Sequence, residues 1–288
     1  MADVAILGPG GVGGLLGAVL TRAGHDVVYV ARPETAAVLN ASGLSVQSVQ
    51  FGDFAVLARA VETLDAPVGL AIVATKAASL DAALDRAPAL PGAAVLPLLN
   101  GVDHMDTLRQ RYPGARVLAG AIRVESTRVA PGRIEHTSQF SGIELAGPGA
   151  AEVAALLESA GFEVTLRSGE AEVLWDKLAL LAPLALITTA ARASIGTARE
   201  SRRTDLVEVV QEVAAVANAS GSDTDPAAVL RILDLVPAQM KSSMLRDAEA
   251  GRPLELDAIG GSVLHAGVRL GIPTPATARV VAELRPIA

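Results

Sequence analysis

The chain contains no cysteine among its 288 residues, and only 2% of them are aromatic. The absence of cysteine excludes disulfide bonds and thiolate nucleophiles, and it is compatible with a reducing compartment. Because aromatic rings are scarce while 51% of the residues are hydrophobic, the cores must be built from alanine, valine, leucine and isoleucine. A chain of this length can form two domains with a sizeable core each.

Positively charged residues are also fewer than negatively charged ones. The chain has 24 Lys and Arg and 31 Asp and Glu, and its formal net charge is −7. A nucleic-acid surface needs clustered Lys and Arg, and the pair Arg202-Arg203 is too short to provide one. The start of the chain lacks a basic segment followed by an apolar one, which argues against a secretory signal. We therefore expect a cytoplasmic protein that binds no nucleic acid.

The longest uncharged helical run is too short to cross a membrane. It extends from Leu178 to Ala191, has 14 residues and contains Pro183, whereas a transmembrane helix needs about 20 apolar residues. A buried core helix explains the run better, so we expect no association with a membrane.

A glycine-rich segment near the start follows the dinucleotide-binding pattern G-x-G-x-x-G. Gly8, Gly10 and Gly13 occupy its three positions, where glycine permits a tight turn, access for a pyrophosphate and close packing of a helix. The segment lies between a short apolar run, Asp3 to Leu7, and a helical pattern, Leu15 to Ala23. A strand, a turn and a helix whose N-terminal end favours an anion are predicted. The predicted cofactor contacts are Gly8, Gly10, Gly11, Val12 and Gly13.

The residue that follows the second strand, Asp26 to Val30, predicts which cofactor binds. NAD-binding proteins have an Asp or Glu there for the ribose hydroxyls, whereas an arginine accommodates a 2′-phosphate. Here Arg32 comes first, and the nearest acid is Glu34. The guanidinium of Arg32 offers a planar fork of donors to a phosphate, so the sequence favours NADP(H). The alternative is that Arg32 is a solvated surface charge.

Two polar side chains follow later apolar strands of the same domain. Gly69 to Ala74 leads into Thr75-Lys76, and Ala93 to Leu98 leads into Asn100 after one further residue. Ligands bind at the carboxyl ends of the strands in an open α/β sheet, so Lys76 and Asn100 are candidate contacts to cofactor or substrate. The alternatives are a surface lysine at a helix start and an Asn-Gly turn.

The remaining pattern divides the chain into two domains. Short alternating strands with a Pro131-Gly132 turn follow Arg123 and suggest an antiparallel addition to the sheet, in which His136 is interpreted as structural. Strand patterns stop after Ser168. Helices are predicted near Glu170–Ala190, Arg199–Ser220, Pro226–Val236, Met244–Ala250, Glu255–Leu270 and Thr274–Leu284. We predict an α/β fold, with an N-terminal Rossmann-type dinucleotide-binding domain at 1–168 followed by an all-α C-terminal domain at 169–288.

The helical half supplies candidate catalytic and binding side chains. Lys177 lies on a helix whose next two turns are apolar, and burial of this kind lowers the pKa of a lysine and suits a proton donor. Alternatively, its ammonium reaches solvent. Ser242 or Ser243 can be the N-cap of a short helix, and Glu255 is expected in the first turn of the next one. Helix capping is therefore the alternative interpretation of these residues.

Together these motifs resemble the ketopantoate reductase (2-dehydropantoate 2-reductase) family. The matching segments span nearly the whole chain: Gly8-Pro9-Gly10-Gly11-Val12-Gly13, Arg32, Thr75-Lys76, Asn100-Gly101-Val102, Trp175-Asp176-Lys177, Ser242-Ser243-Met244-Leu245-x-Asp247 and Glu255-x-Asp257. The resemblance implies a Rossmann domain followed by a helical domain. It also implies an oxidoreductase in which NADPH reduces the C2 ketone of a 2-oxo acid, such as 2-dehydropantoate to pantoate. A homodimer formed through the helical domain is compatible with it.

The resemblance also assigns roles to single residues. Lys177 matches the general acid of the family, Glu255 the carboxylate that orients substrate and catalytic groups, and Ser243 the hydroxyl that binds substrate. Lys76 and Asn100 match residues that line the cofactor and substrate site. These roles suit the chemistry, because hydride transfer to a ketone leaves an oxyanion that needs a proton and a nearby cation. No metal ion is part of the predicted site.

The sequence departs from the family at positions that would contact a hydroxylated substrate. Typical members have asparagines four and eight residues after the catalytic lysine, where this chain has Leu181 and Ala185, and a third asparagine is replaced by Met240 or Lys241. Leu181 is therefore a candidate substrate contact of apolar character. Two alternatives stay open: a related NADP-linked dehydrogenase of a more apolar 2-oxo acid, and a non-enzymatic NADP(H)-binding sensor.

Overall fold

The computed structural model describes residues 3–288, which form two compact units. The first unit contains the described residues up to Leu99 together with His104–Glu170. The second contains Asn100–Asp103 together with Ala171–Ala288. The predicted division after residue 168 lies close to the boundary at Glu170, and the separate functions of the two domains stay a prediction.

A six-stranded parallel sheet forms the centre of the first unit. The strands of the chain are β1 Val4–Leu7, β2 Val27–Val30, β3 Leu44–Ser48, β4 Phe54–Val56, β5 Arg59–Val61, β6 Leu70–Val73, β7 Ala94–Pro97, β8 Arg116–Val117, β9 Ala119–Arg123, β10 Ser126–Ala130, β11 Arg133–His136, β12 Gly142–Ala146 and β13 Val164–Leu166. The central sheet has the order β5-β2-β1-β6-β7-β8. Its four middle strands are buried along their full length, as expected for apolar runs covered on both faces.

The helices of the first unit are α1 Gly11–Arg22, α2 Pro33–Ser42, α3 Leu80–Leu84, α4 His104–Arg111 and α5 Ala150–Ser159. Of these, α1, α3 and α4 each connect two neighbouring parallel strands of the central sheet. α1 joins β1 to the parallel strand β2, and Gly24, at φ +95°, permits the reversal after its C-terminal end. The glycine turn therefore lies at the carboxyl end of β1, and the predicted α/β fold with a Rossmann-type domain is confirmed.

Two smaller sheets complete the first unit. β10, β11, β3 and β4 form one, and β13, β12 and β9 form the other. The hairpin of β10 and β11 is antiparallel, as predicted around Pro131-Gly132, and so is the pair of β9 and β12. The prediction of an antiparallel addition to the sheet holds for these two pairings, but the strands belong to sheets separate from the central one, and β11 also pairs with β3 and β12 with β13 in parallel. Other elements separate these partners along the chain, so local alternation could not reveal their pairing.

His136 is buried at the end of β11, where serine hydroxyls lie close to both ring nitrogens. Its Nδ1 is 2.8 Å from Ser48 Oγ, and its Nε2 is 3.0 Å from Ser138 Oγ. Burial lowers the pKa of His136, and a hydrogen bond to the carbonyl of Phe140 acts in the opposite direction. The neutral ring is therefore favoured inside the packed sheet, which supports the interpretation of His136 as a structural residue.

The second unit is helical. Its helices are α6 Glu170–Ala191, α7 Ile195–Ser201, α8 Arg203–Ala219, α9 Pro226–Leu235, α10 Ser243–Glu249, α11 Ser262–Leu270 and α12 Pro275–Leu284, with a π-helical turn at Asp257–Gly261. The prediction of one helix over Arg199–Ser220 is wrong, because a break at Arg202, with φ −127° and ψ 36°, separates α7 from α8. The predicted helical C-terminal domain is confirmed.

α6 supplies much of the core of the helical unit. Leu178, Ala182 and Leu186 are all buried within it. By length and composition α6 could cross a membrane, and among the described residues it is the one helix that meets this requirement. However, 67% of its apolar window is buried inside the protein, which agrees with its interpretation as a core helix.

Candidate active site

The glycine turn after β1 has a backbone that larger residues could not adopt. Gly8 has φ +90°, and a Cβ there would lie 2.6 Å from Thr75 Cγ2. A Cβ at Gly13 would collide with the carbonyl oxygen of Gly8. Both positions therefore require glycine, and the first turn of α1 packs directly on the carboxyl end of β1.

The backbone at Gly10 is accessible, whereas that of its neighbour Gly11 is covered. A Cβ at Gly10 would meet only the carbonyl oxygen of Ala74, at 4.0 Å. A Cβ at Gly11 would collide with the backbone of Ser126, whose Oγ donates to the Gly11 carbonyl oxygen at 2.8 Å. Within residues 3–288 no side chain caps this end of α1. The N–H of Val12, in the first turn of α1, can therefore bind an anion, whereas the N–H groups of Gly8 and Gly10 already donate to the carbonyl oxygens of Val30 and Gly8.

The hydroxyl of Thr75 lies next to this turn, just after β6. Its Oγ1 is buried and makes no hydrogen bond with any of the residues that the structure describes. A buried hydroxyl without a partner is unfavourable unless a ligand or water binds it. The open backbone at Gly10, the first turn of α1 and the Thr75 hydroxyl together fit the polar groups of a dinucleotide cofactor.

Arg32 and Lys76 follow the strands on either side of β1. Arg32 comes after β2 and precedes α2, and Lys76 comes after β6 and precedes a 3₁₀ turn at Ala77–Ser79. Both side chains are exposed. Since β2 and β6 run parallel to β1, these two residues and the glycine turn all lie at the carboxyl ends of neighbouring strands.

In the second unit the structure joins Asn100 to Glu255. Nδ2 of Asn100 donates to Oε2 of Glu255 at 3.0 Å. Glu255 is half-buried and lies just before the helical segment, which begins at Leu256, rather than in its first turn. Its carbonyl oxygen accepts from the N–H of Ile259 at 3.0 Å. Glu255 thus starts the helix through its backbone, while its carboxylate binds Asn100.

Lys177 and Leu181 lie one helical turn apart on α6. Both side chains are half-buried, and positions i and i+4 share one face of a helix. The next position on this face, Ala185, is fully buried in the helical core. The face that continues from Lys177 is therefore apolar.

Of the two adjacent serines, Ser242 is the N-cap of α10 and Ser243 is its first residue. The buried Oγ of Ser242 accepts from the N–H of Leu245 at 3.1 Å and lies 2.7 Å from Thr188 Oγ1. This second contact joins α10 to α6. Capping accounts for Ser242, whereas Ser243 is exposed and stays the predicted substrate contact.

Several polar residues of these regions are not among the predicted site residues. Ser126 fixes the start of α1, Thr75 presents a buried hydroxyl beside the glycine turn, and Thr188 binds Ser242. Thr75 could have been found, because it follows an apolar strand at the edge where ligands bind. Ser126 lies 115 positions from Gly11, and no local pattern indicates that contact.

Both halves of the chain match the sequence models of one protein family. Residues 4–148 match the family described as ketopantoate reductase PanE/ApbA, and residues 171–288 match the description of its C-terminal part. The two matches together extend over most of the chain and over both compact units.

Single proteins are similar to the chain over almost its full length. An uncharacterized oxidoreductase, YkpB, of Bacillus subtilis (strain 168) is 30% identical over 97% of each chain. The 2-dehydropantoate 2-reductase of Caulobacter vibrioides is 30% identical over 99% of this chain and 98% of its own. The crystal structure of a PanE/ApbA family ketopantoate reductase from Ralstonia eutropha JMP134 has a TM-score of 0.88 at 31% identity, covering 99% of this chain and 97% of that one.

Proposed function

Because the chain belongs to the ketopantoate reductase family, we propose that it reduces the C2 ketone of a 2-oxo acid with NADPH. It is an oxidoreductase acting on CH–OH groups, and its family uses a nicotinamide cofactor. The observation that carries the proposal is the hydrogen bond between Asn100 and Glu255. It joins two side chains, distant in the sequence, to which the family resemblance gives places in the site: Asn100 lines the cofactor and substrate site, and Glu255 orients substrate and catalytic groups.

The contribution of the protein to the reaction follows from the roles of Lys177 and Glu255. A reduced nicotinamide, when bound, supplies a hydride. As the C2 carbon accepts it, the electron pair of the C=O bond moves to the oxygen, and the Lys177 ammonium donates the proton that completes the alcohol. The neutral lysine then regains a proton from solvent. Glu255, held by Asn100, orients the substrate for this transfer.

The preference for NADPH over NADH rests on Arg32. A guanidinium at this edge of the sheet can bind a 2′-phosphate through two donors. A carboxylate there would bind the ribose hydroxyls and repel the phosphate, but the nearest one, Glu34, lies beyond Arg32 in the first turn of α2. The glycine turn, Lys76 and Asn100 contribute contacts that do not distinguish the two cofactors.

The first substrate to test is 2-dehydropantoate, because the Caulobacter relative is named for its reduction. A more apolar 2-oxo acid is the second candidate, and Leu181 favours it. An apolar side chain one turn from Lys177 cannot pair with a substrate hydroxyl. We expect a cytoplasmic protein, and a homodimer through the helical unit is compatible with the proposal.

The test is NADPH oxidation with a panel of 2-oxo acids that includes 2-dehydropantoate. Turnover of at least one acid, lost in the Lys177→Ala variant, supports the proposal. Tight NADPH binding without turnover of any acid would indicate a cofactor-binding sensor instead. A protein that binds neither NADPH nor NADH would contradict the assignment of a nicotinamide cofactor.

A further inference from the structure

The segment Asn100–Asp103 packs on the π-helical turn and α11 of the second unit. Gly101 has φ +82°, and a Cβ there would collide with the carbonyl oxygen of Ala258 in the π-helical turn. Next to this close backbone contact, the preceding residue, Asn100, lies beside Glu255. The hydrogen bond between these two half-buried side chains therefore depends on where the backbone of the segment is held.

Three polar side chains hold the other end of the segment. Ser262, the first residue of α11, is fully buried, and its Oγ accepts from the N–H of Val102 at 3.4 Å. The same hydroxyl donates to Oδ2 of Asp103 at 3.1 Å, and this oxygen also lies 2.9 Å from Nδ1 of His265. Asp103 and His265 are exposed, so both can be replaced without opening a cavity in the core.

We propose that Asp103, Ser262 and His265 are positioning residues for the pair of Asn100 and Glu255. The inference rests on the proposed function, in which Glu255 orients the substrate. The Ser262 hydroxyl accepts one hydrogen bond and donates another, so it ties the segment to α11 at two consecutive residues. This anchor restrains the backbone next to Asn100, and small displacements of groups at an active site strongly reduce turnover.

The side-chain amide of Asn100 reports its contact with Glu255 independently of turnover. The chain has three asparagines, Asn40, Asn100 and Asn218, so asparagine-selective isotope labelling gives three pairs of side-chain amide NMR signals. The Asn100→Ala variant identifies one pair. We expect Glu255→Ala to shift that pair, because the hydrogen bond to a carboxylate is lost.

Variants at Asp103 then test the anchor. We expect Asp103→Ala to shift the Asn100 signals in the same direction as Glu255→Ala. Asp103→Asn keeps an acceptor oxygen and should leave them near the wild-type position, apart from adding its own pair of signals. His265→Ala removes one of the two contacts to Oδ2 and should give a smaller shift. Asp106→Ala, which removes another exposed acid three residues further on, is the control and should cause no shift.

Turnover gives the second readout. If Asp103 acts through Asn100, Asp103→Ala lowers kcat/KM for the best 2-oxo acid by about tenfold. The double variant of Asn100→Ala with Asp103→Ala should then be no slower than Asn100→Ala alone. A merely structural role would give additive losses instead.

Unchanged Asn100 signals in both Asp103→Ala and His265→Ala would overturn the proposal, as would additive losses in the double variant. If the wild type turns over no 2-oxo acid, the proposed function fails, while the amide signals still decide whether Asp103 positions Asn100. If Asp103→Ala does not fold, His265→Ala provides the same test, because the His265 side chain is 65% exposed.

Discussion

The side-chain amide of Asn100 binds the carboxylate of Glu255, which lies 155 positions further along the chain. An ionised carboxylate only accepts hydrogen bonds, so a donor fixed at Oε2 at a distance of 3.0 Å restricts how the group can turn. Gly101, whose backbone lies against Ala258, follows Asn100 directly. The orientation of Glu255 is therefore linked to the packing of a four-residue segment, and this link is open to test by mutation.

Two variants of Glu255 distinguish the contribution of its negative charge from that of its hydrogen bond with Asn100. We expect Glu255→Ala to lower kcat/KM for 2-oxo acids by about 10²-fold, with little change in folding stability because the side chain is only half-buried. Glu255→Gln keeps an acceptor oxygen for Asn100 and should retain more activity than the alanine variant. Steady-state kinetics and thermal unfolding of both variants check this. A large loss of stability with unchanged kcat/KM would leave Glu255 with a structural role only.

Replacing Lys177 tests the proton donor. Lys177→Ala should lower kcat by about 10²–10⁴, the usual contribution of a positioned acid, while the affinity for NADPH stays nearly the same. Lys177→Arg keeps the positive charge, but arginine does not release a proton near neutral pH, so this variant should also be slow. Kinetics and NADPH fluorescence titration measure the two effects. Normal turnover in Lys177→Ala would remove Lys177 from the mechanism.

Replacing Arg32 tests the choice of cofactor. A charge-assisted contact to a phosphate contributes about 1.5–3 kcal/mol, so Arg32→Ala should lower the preference for NADPH over NADH by roughly tenfold or more. Arg59→Ala is the matched control, because Arg59 is another exposed arginine of the first unit and pairs with Asp26 at 2.9 Å. Dissociation constants for both cofactors check the prediction. Equal affinity of the wild type for NADH and NADPH would show that Arg32 does not select the cofactor.

The pH dependence of folding stability tests the buried His136. Burial lowers the pKa of His136 below its ordinary value of 6.5, so the unfolded chain binds a proton there more readily than the folded chain. Its contribution to stability is present above about pH 6.5 and is lost as the pH falls through the lower pKa of the folded state. The melting temperature of the wild type should therefore fall more steeply with decreasing pH than that of His136→Gln.

Thermal unfolding between about pH 7.5 and about pH 5.5 measures this difference. His25→Gln, which replaces another histidine of the same unit, is the control, and its melting temperature should follow that of the wild type. Equal slopes for the wild type and His136→Gln would show that protonation of His136 is not linked to unfolding.

The hydrophobic pattern predicted the central sheet well because its strands are buried on both faces. The runs Asp3 to Leu7, Gly69 to Ala74 and Ala93 to Leu98 contain β1, β6 and β7 with only small differences at the ends. β5 was not predicted. It has three residues, of which only Ala60 is buried, so its alternation is too short to distinguish it from a loop.

The candidate site could be predicted from the sequence only where the resemblance or a local motif includes it. The glycine turn is such a motif, since the spacing of its three glycines alone indicates the conformation of the backbone. The contacts of Asp103 with Ser262 and His265 join residues 159 and 162 positions apart, and nothing in a single serine or aspartate indicates its partner. The resemblance selected Asn100 and Glu255 without indicating that they bind each other.

The substrate preference should depend on Leu181. A site lined by amides favours a substrate whose hydroxyl pairs with them, whereas an apolar side chain leaves that hydroxyl partly unsatisfied. Leu181 is half-buried one turn beyond Lys177, while Ala185 has no exposed surface. We therefore expect the wild type to use 2-dehydropantoate weakly, or less well than a branched 2-oxo acid with fewer hydroxyls.

The variant Leu181→Asn should improve kcat/KM for 2-dehydropantoate relative to the branched acid by about threefold to tenfold, the contribution of one hydrogen bond. Leu180→Asn is the matched control, because Leu180 is also half-buried on α6 but faces a different side of the helix. It should leave the ratio unchanged. A wild-type kcat/KM for 2-dehydropantoate far above that for every other acid, with no gain in Leu181→Asn, would contradict the prediction. Residues other than Leu181 would then have to bind the substrate hydroxyl, because an apolar side chain cannot.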